Sequence, residues 1–240
     1  MAAPFTAKST VQEIEQRFDQ EIERFSNLET GQLSTIDAPL CLELITSAAQ
    51  YATPHARHLL DIGCGAGNFT LKMLSKLPHL NCTLVDLSRP MVQRAQQRVQ
   101  AETRGEVKAL QGDIREVPLT EKPFDVILAG AVLHHLREEE DWEFVFRKLY
   151  HSLKDGGSFW ISDLVVQATP QIDQLMWQRY GDYLTSVGGL DYRNHVLAYI
   201  EKEDSPRSVT FQLDLLRKVG FKQVELLHKN SCFAAFGGIK

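Results

Sequence analysis

The chain has 240 residues, of which 43% are apolar and 24% charged, enough for one large domain whose core needs no disulfide or metal staples. That balance excludes a disordered chain, a collagen-like chain and a small disulfide scaffold. Net charge is −5, and no block is strongly basic: residues 1–60 carry 4 basic and 8 acidic side chains, residues 61–165 carry 13 and 15, and residues 166–240 carry 9 and 8.

A broad nucleic-acid footprint therefore has no support. The longest apolar-or-glycine run, Val126 to Leu133, is eight residues, far below the roughly 20 that span a bilayer. Met1 to Thr10 lacks the apolar centre of an export signal. Cys41, Cys64, Cys82 and Cys232 form no C-x-x-C pair, so reduced thiols in a cytoplasm are expected, with no metal site and no membrane contact.

Val11, Ile14, Phe18, Ile22 and Phe25 recur three and four apart and predict one amphipathic helix, started by a Thr10/Glu13 capping box. A second helix is expected from about Asp37 to Tyr51. From residue 58 short apolar runs alternate with amphipathic segments. Strands are expected at His58–Ile62, Cys82–Val85, Val107–Leu110, Phe124–Ala129 and Ser158–Ser162, with helices between them. Trp142 to Leu153 mark the helix before the fifth strand. This βαβ order predicts an α/β, doubly wound, mostly parallel sheet. Residues 168–206 interrupt it with two helices separated by Gly188-Gly189. A last helix, Phe211 to Val219, precedes runs at Val224–Leu227 and Cys232–Phe236, expected to form an antiparallel hairpin turning at Lys229-Asn230.

Chemistry concentrates in Asp61-Ile62-Gly63-Cys64-Gly65-Ala66-Gly67-Asn68, where a strand ends, glycines alternate and a helix begins. Glycines there let the backbone turn and approach a ligand closely. The dinucleotide fingerprint requires a glycine where Asn68 stands, which weakens a nicotinamide or flavin reading. Asp86 ends the next strand, 19 residues after Gly67, where a carboxylate can accept from a ribose diol. Asp113 follows the third strand and can accept from an adenine amine. As isolated acids, Asp61 and Asp86 can equally cap helices and Asp113 start a turn. In this order, at carboxyl ends of parallel strands, they point to a nucleoside.

The segment 61–67 resembles the first motif of class I S-adenosylmethionine-dependent methyltransferases. The resemblance continues through Val85-Asp86-Leu87-Ser88 with Met91, Gly112-Asp113-Ile114, Phe124-Asp125-Val126-Ile127, Leu133-His134-His135-Leu136 and Leu153-Lys154-Asp155-Gly156-Gly157. It covers residues 58–165 closely and the terminal hairpin more loosely. The resemblance implies a seven-stranded Rossmann-like sheet with an antiparallel C-terminal hairpin, S-adenosyl-L-methionine as cofactor and S-adenosyl-L-homocysteine as product. It implies that Gly63, Gly65, Gly67 and Asn68 pass under the methionine moiety, that Asp61 serves its amino group through backbone or water, and that Asp86 holds the ribose. Leu87 and Met91 would flank adenine, Asp113 and Ile114 face its edge, and Ala129 lie near the methionyl group. His134 stands where some small-molecule O-methyltransferases of the family carry a histidine base; a hydrogen-bonded helix-start residue is the plainer reading.

The chain is accordingly expected to be one methyltransferase domain, with residues 10–51 an N-terminal helical cover, 58–165 the cofactor-binding core, 168–206 a helical lid and 207–240 a terminal helix and hairpin. The two cover segments carry Tyr51, Trp177, Tyr180, Tyr183, Tyr192 and Tyr199, suited to roofing a small, partly apolar methyl acceptor. Arg89, Arg94 and Arg98 read as solvated surface rather than a phosphate strip. A tRNA-base or protein methyltransferase, an enzyme that modifies the cofactor itself, and a non-catalytic cofactor-binding partner are the alternatives. Nucleic acid is disfavoured as a partner, and a homodimer is a candidate arrangement.

Overall fold

The computed structural model describes residues 8–27, 31–119 and 123–240. Seven strands form one sheet: β1 His58–Ile62, β2 Asn81–Asp86, β3 Val107–Gln111, β4 Phe124–Gly130, β5 Leu153–Leu164, β6 Gln223–Asn230 and β7 Phe233–Ile239. Their order is β3-β2-β1-β4-β5-β7-β6. β1 to β5 run parallel, and β7 lies antiparallel between β5 and β6. The reversal of order beside β1 opens a crevice at the carboxyl ends of the strands, where such sheets bind ligands.

Helices cover both faces. Against one pack α6 (Glu139–Ser152) and α8 (Val209–Val219), burying Trp142, Phe146, Phe159 and Phe221. Against the other lie α3 (Ala38–Ala52), α4 (Asn68–Leu74) and α5 (Arg89–Glu102), with Ile45, Met73, Leu84 and Trp160 fully or nearly buried. Leu59, Leu60 and Ile62 of β1 are all 0% exposed, as a strand buried on both faces requires. Asp125 braces the amino ends of the strands, accepting from the Arg57 and His58 N–H groups at 2.8 Å each and from Lys154 Nζ at 2.6 Å.

Three local expectations are corrected. The first helix is two, α1 (Val11–Asp19) and α2 (Ile22–Ser26), because the chain bends at Gln20-Glu21 while its apolar periodicity continues. The Thr10/Glu13 capping box is present. Leu153 opens β5 rather than closing α6, pairing with Phe124. The hairpin turns at Ser231-Cys232, since Asn230 pairs with Phe233 and Ser231 takes the positive φ of 49°. Its hydroxyl donates to the Met176 carbonyl at 2.6 Å, a tertiary anchor with no local sequence signal.

The 168–206 segment forms α7, Pro170–Glu203, kinked at Gly189, whose φ of 82° and ψ of −177° leave the helical region. Its two limbs bury Tyr180, Leu184, Val196 and Ile200 with Phe233 and Ile36. Among the described residues no helix is long and apolar enough to cross a membrane.

Candidate active site

A cavity of about 280 Å³ lies over the carboxyl ends of β1, β2 and β4, walled by the glycine turn and roofed by α1, α2 and α7. Gly63 and Gly65 reach it with φ of 61° and 49°. A Cβ on Gly65 would meet nothing within 4 Å, so the backbone presents open space to the cavity. A Cβ on Gly67 would press the Ala95 backbone and side chain at 3.3 Å. Gly67 therefore lets α5 approach the turn, the packing role that the dinucleotide fingerprint gives to its third glycine.

Asp86 hinges the turn. Its Oδ2 accepts from the Gly65 N–H at 2.7 Å and its Oδ1 from the Ser88 N–H at 2.9 Å. Burial pushes its carboxyl up to about 6, with Asp19 adding like charge. Leu87, Met91 and Ile114 line the same wall. Asp61 stays beneath the turn, 0% exposed. Its Oδ2 accepts from the Thr70 hydroxyl at 2.6 Å while Oδ1 has no partner. Burial raises it to about 7. Ala129 is also buried below the cavity, its place on the wall taken by Gly130, Ala131 and Val132. Asp113 lines the cavity, but Arg115 grips its carboxylate with Nε to Oδ1 at 3.0 Å and Nη2 to Oδ2 at 2.6 Å. Burial works to raise Asp113, and those bonds outweigh it and hold its carboxyl below the usual range.

Asn68 lines the cavity and staples the roof, donating from Nδ2 to the Phe25 carbonyl at 2.9 Å. Arg98, read from sequence as solvated surface, instead donates to the Ala66 carbonyl at 2.5 Å and Asn68 Oδ1 at 2.9 Å. Arg94 reaches Ser26 Oγ at 3.3 Å, and Ser88 Oγ donates to Asp19 Oδ1 at 2.6 Å. The N-terminal cover is thus pinned across the Asp86 side of the crevice by polar contacts that no local pattern announces.

At the opposite end His134 meets two carboxylates. Its Nδ1 hydrogen-bonds Asp163 Oδ1, its backbone N–H donates to Asp163 Oδ2 at 3.1 Å, and its Nε2 lies 3.8 Å from Asp204 Oδ1. Burial works to lower its imidazole, but Asp163 and Asp204 prevail and raise it to about 9. His135 Nδ1 sits 3.2 Å from Asp204 Oδ1, misaligned for a hydrogen bond. Asp163 and Asp204 escaped the sequence reading. Asp163 carried a usable signal, standing at the carboxyl end of β5 as Asp86 does on β2. Asp204 follows α7 and carried none. Arg17, paired with Glu203 at 2.7 Å, and Tyr180 and Tyr199 complete this end.

Residues 59–157 match a family model described as a methyltransferase domain. The chain is 25% identical over 186 residues to the carboxy-S-adenosyl-L-methionine synthase of Nautilia profundicola, covering 76% of each chain. It superposes on human N-acetylserotonin methyltransferase in complex with SAM with a TM-score of 0.62, at 18% identity, covering 94% of this chain and 56% of that one. With the N-methyltransferase NodS of Bradyrhizobium japonicum, in complex with S-adenosyl-L-homocysteine, the TM-score is 0.61 at 16% identity, covering 92% and 98%. Over residues 59–157 the chain is similar to the class I S-adenosylmethionine-dependent methyltransferase family. The mostly parallel seven-stranded sheet with its antiparallel hairpin is that family's fold.

Proposed function

We propose that this methyltransferase acts on a small-molecule acceptor held in the cavity between the glycine turn and the two cover segments. The reading rests on one observation: a single cavity joins the Asp86–Met91–Ile114 wall to the His134–Tyr180–Tyr199 wall beneath both covers.

The residues suit S-adenosylmethionine, which supplies when bound a methyl group already activated on a sulfonium. Gly65 leaves room for close backbone approach, and Asp86 has acceptor capacity beyond its two backbone donors. Leu87, Met91 and Ile114 offer apolar faces for a flat base. In this reading Gly63, Gly67 and Asn68 hold the turn in shape. Asp113 and Ile114 meet the base edge, and Asp61 steadies the turn from below, its unpartnered oxygen the natural acceptor for a bridging water. Ala129 acts through the backbone it supports. The covers exclude water and hold the acceptor's nucleophile in line, the main contribution such a transfer needs. His134, fastened to Asp163, directs Nε2 toward the acceptor end.

Incubation with methyl-labelled S-adenosylmethionine and a metabolite extract should place the label in a small molecule. Label found only in RNA or protein would contradict the reading. The similarity to a carboxy-S-adenosyl-L-methionine synthase over 76% of both chains supports a second reading, in which the cofactor itself is modified. Mass spectrometry of the recovered cofactor separates the two.

A further inference from the structure

We propose that His134, His135 and Asp204 bind one divalent transition-metal ion at the acceptor end of the cavity, although the cysteine pattern led to an expectation of no metal. One donor atom from each lies within 4.8 Å of the others, and all three residues line the cavity. Two imidazoles and one carboxylate leaving open positions is the donor set that suits Fe(II), Co(II) or Zn(II).

The unpaired atoms argue for a ligand rather than a closed hydrogen-bond network. Asp204 is 3% exposed, yet its Oδ1 has no hydrogen-bond partner; neither ring nitrogen of His135 has one. Buried polar atoms are seldom left so, and here they converge. His135 Nδ1 is 3.2 Å and His134 Nε2 3.8 Å from Asp204 Oδ1. Bonds of about 2.1 Å to a common ion set neighbouring donors about 3.0–3.4 Å apart, so small side-chain rotations complete the site.

The surroundings fit as well. Asp163 takes His134 Nδ1 and leaves Nε2 to face Asp204, the carboxylate–histidine arrangement that fixes metal-binding imidazoles. The Ser205 N–H donates to the His134 carbonyl at 2.7 Å, locking the segment carrying Asp204 to the one carrying both histidines. Open positions on the ion would face the cavity, where water or an oxygen of the acceptor can occupy them.

The test needs neither cofactor nor acceptor. The full chain without a polyhistidine tag, stripped with chelator, is titrated calorimetrically with Co(II) and Zn(II), and its Co(II) absorption spectrum is recorded. One ion per chain is expected at micromolar or tighter affinity. Asp204→Asn should weaken binding at least tenfold, and Asp163→Asn about 10- to 100-fold through loss of the imidazole's orientation. Absence of stoichiometric binding, or affinity unchanged in Asp204→Asn as exposed His55 and His79 would give, overturns the proposal. If either variant fails to fold by circular dichroism, Cu(II) electron paramagnetic resonance on the unmodified chain decides. Hyperfine coupling to two imidazole nitrogens supports the site, and coupling to fewer overturns it.

Discussion

At one end of the cavity Asp86 on the wall and Asp61 beneath it have no ion pair among the described residues; at the other Asp204 is enclosed beside His134 and His135. Burial raises the first two to about 7 and about 6. Burial works on Asp204 too, but His134, then His135, more than offsets it and leaves the carboxyl below its ordinary value. Residue type does not decide what these acids do. A carboxylate with no cation beside it can still take up a ligand's donors, whereas one facing imidazoles is held ionised, the form in which a carboxylate ligates a metal.

The largest effect is expected at the turn beside Asp86. Gly65→Val places a branched side chain in open cavity space at a φ of 49°. S-Adenosyl-L-homocysteine affinity should fall at least about 100-fold, while backbone strain costs only about 1–2 kcal/mol of stability. Calorimetry with a urea melt checks both, and retained affinity would show that the turn does not carry the ligand. Asp86→Ala should weaken the same binding by about 1–3 kcal/mol by removing a charged acceptor.

Arg115→Ala sharpens the comparison by turning an engaged acid into a waiting one. It frees Asp113, and at neutral pH should cost about 1–2 kcal/mol in urea denaturation through loss of the charge-assisted pair. Because Asp113 is held below its ordinary 3.8, the pair's contribution is present above that value and lost as pH falls. The deficit should therefore shrink in acid.

The smallest effect is Asp61→Asn. A carboxyl raised from 3.8 to about 7 contributes stability that is full below 3.8 and is lost as pH rises through about 7. Asparagine cannot ionise and still accepts from Thr70. The variant should melt a few degrees above the parent at pH 8 and show no advantage at pH 4. Parallel pH curves for the two proteins would refute the buried-acid assignment.

The waiting acids were legible because their signals are local: a short apolar run, glycines, an acid at the strand end. The same logic recovered the βαβ order and the antiparallel pair. The break at Gln20-Glu21 was hidden because apolar spacing runs through it. The hairpin turn was misplaced because Ser231 is held by Met176 on α7 rather than by its neighbours. The engaged end was least legible, since His134 meets Asp163 across 29 residues and Asp204 from the far end of α7. Arg98 looked solvent-bound on its helix and instead holds the glycine turn.

In the proposed function Asp86, its carboxyl raised by burial, takes the hydroxyls of a nucleoside. Calorimetric titration of S-adenosyl-L-homocysteine from about pH 5 to pH 7 tests it, because a carboxyl lying near 6 in the free chain must ionise fully to accept both hydroxyls. Affinity in the unmodified chain should rise across that range, and in Asp86→Ala it should be weaker and flat. Equal affinity in the two proteins, or the same pH dependence in both, would contradict the account.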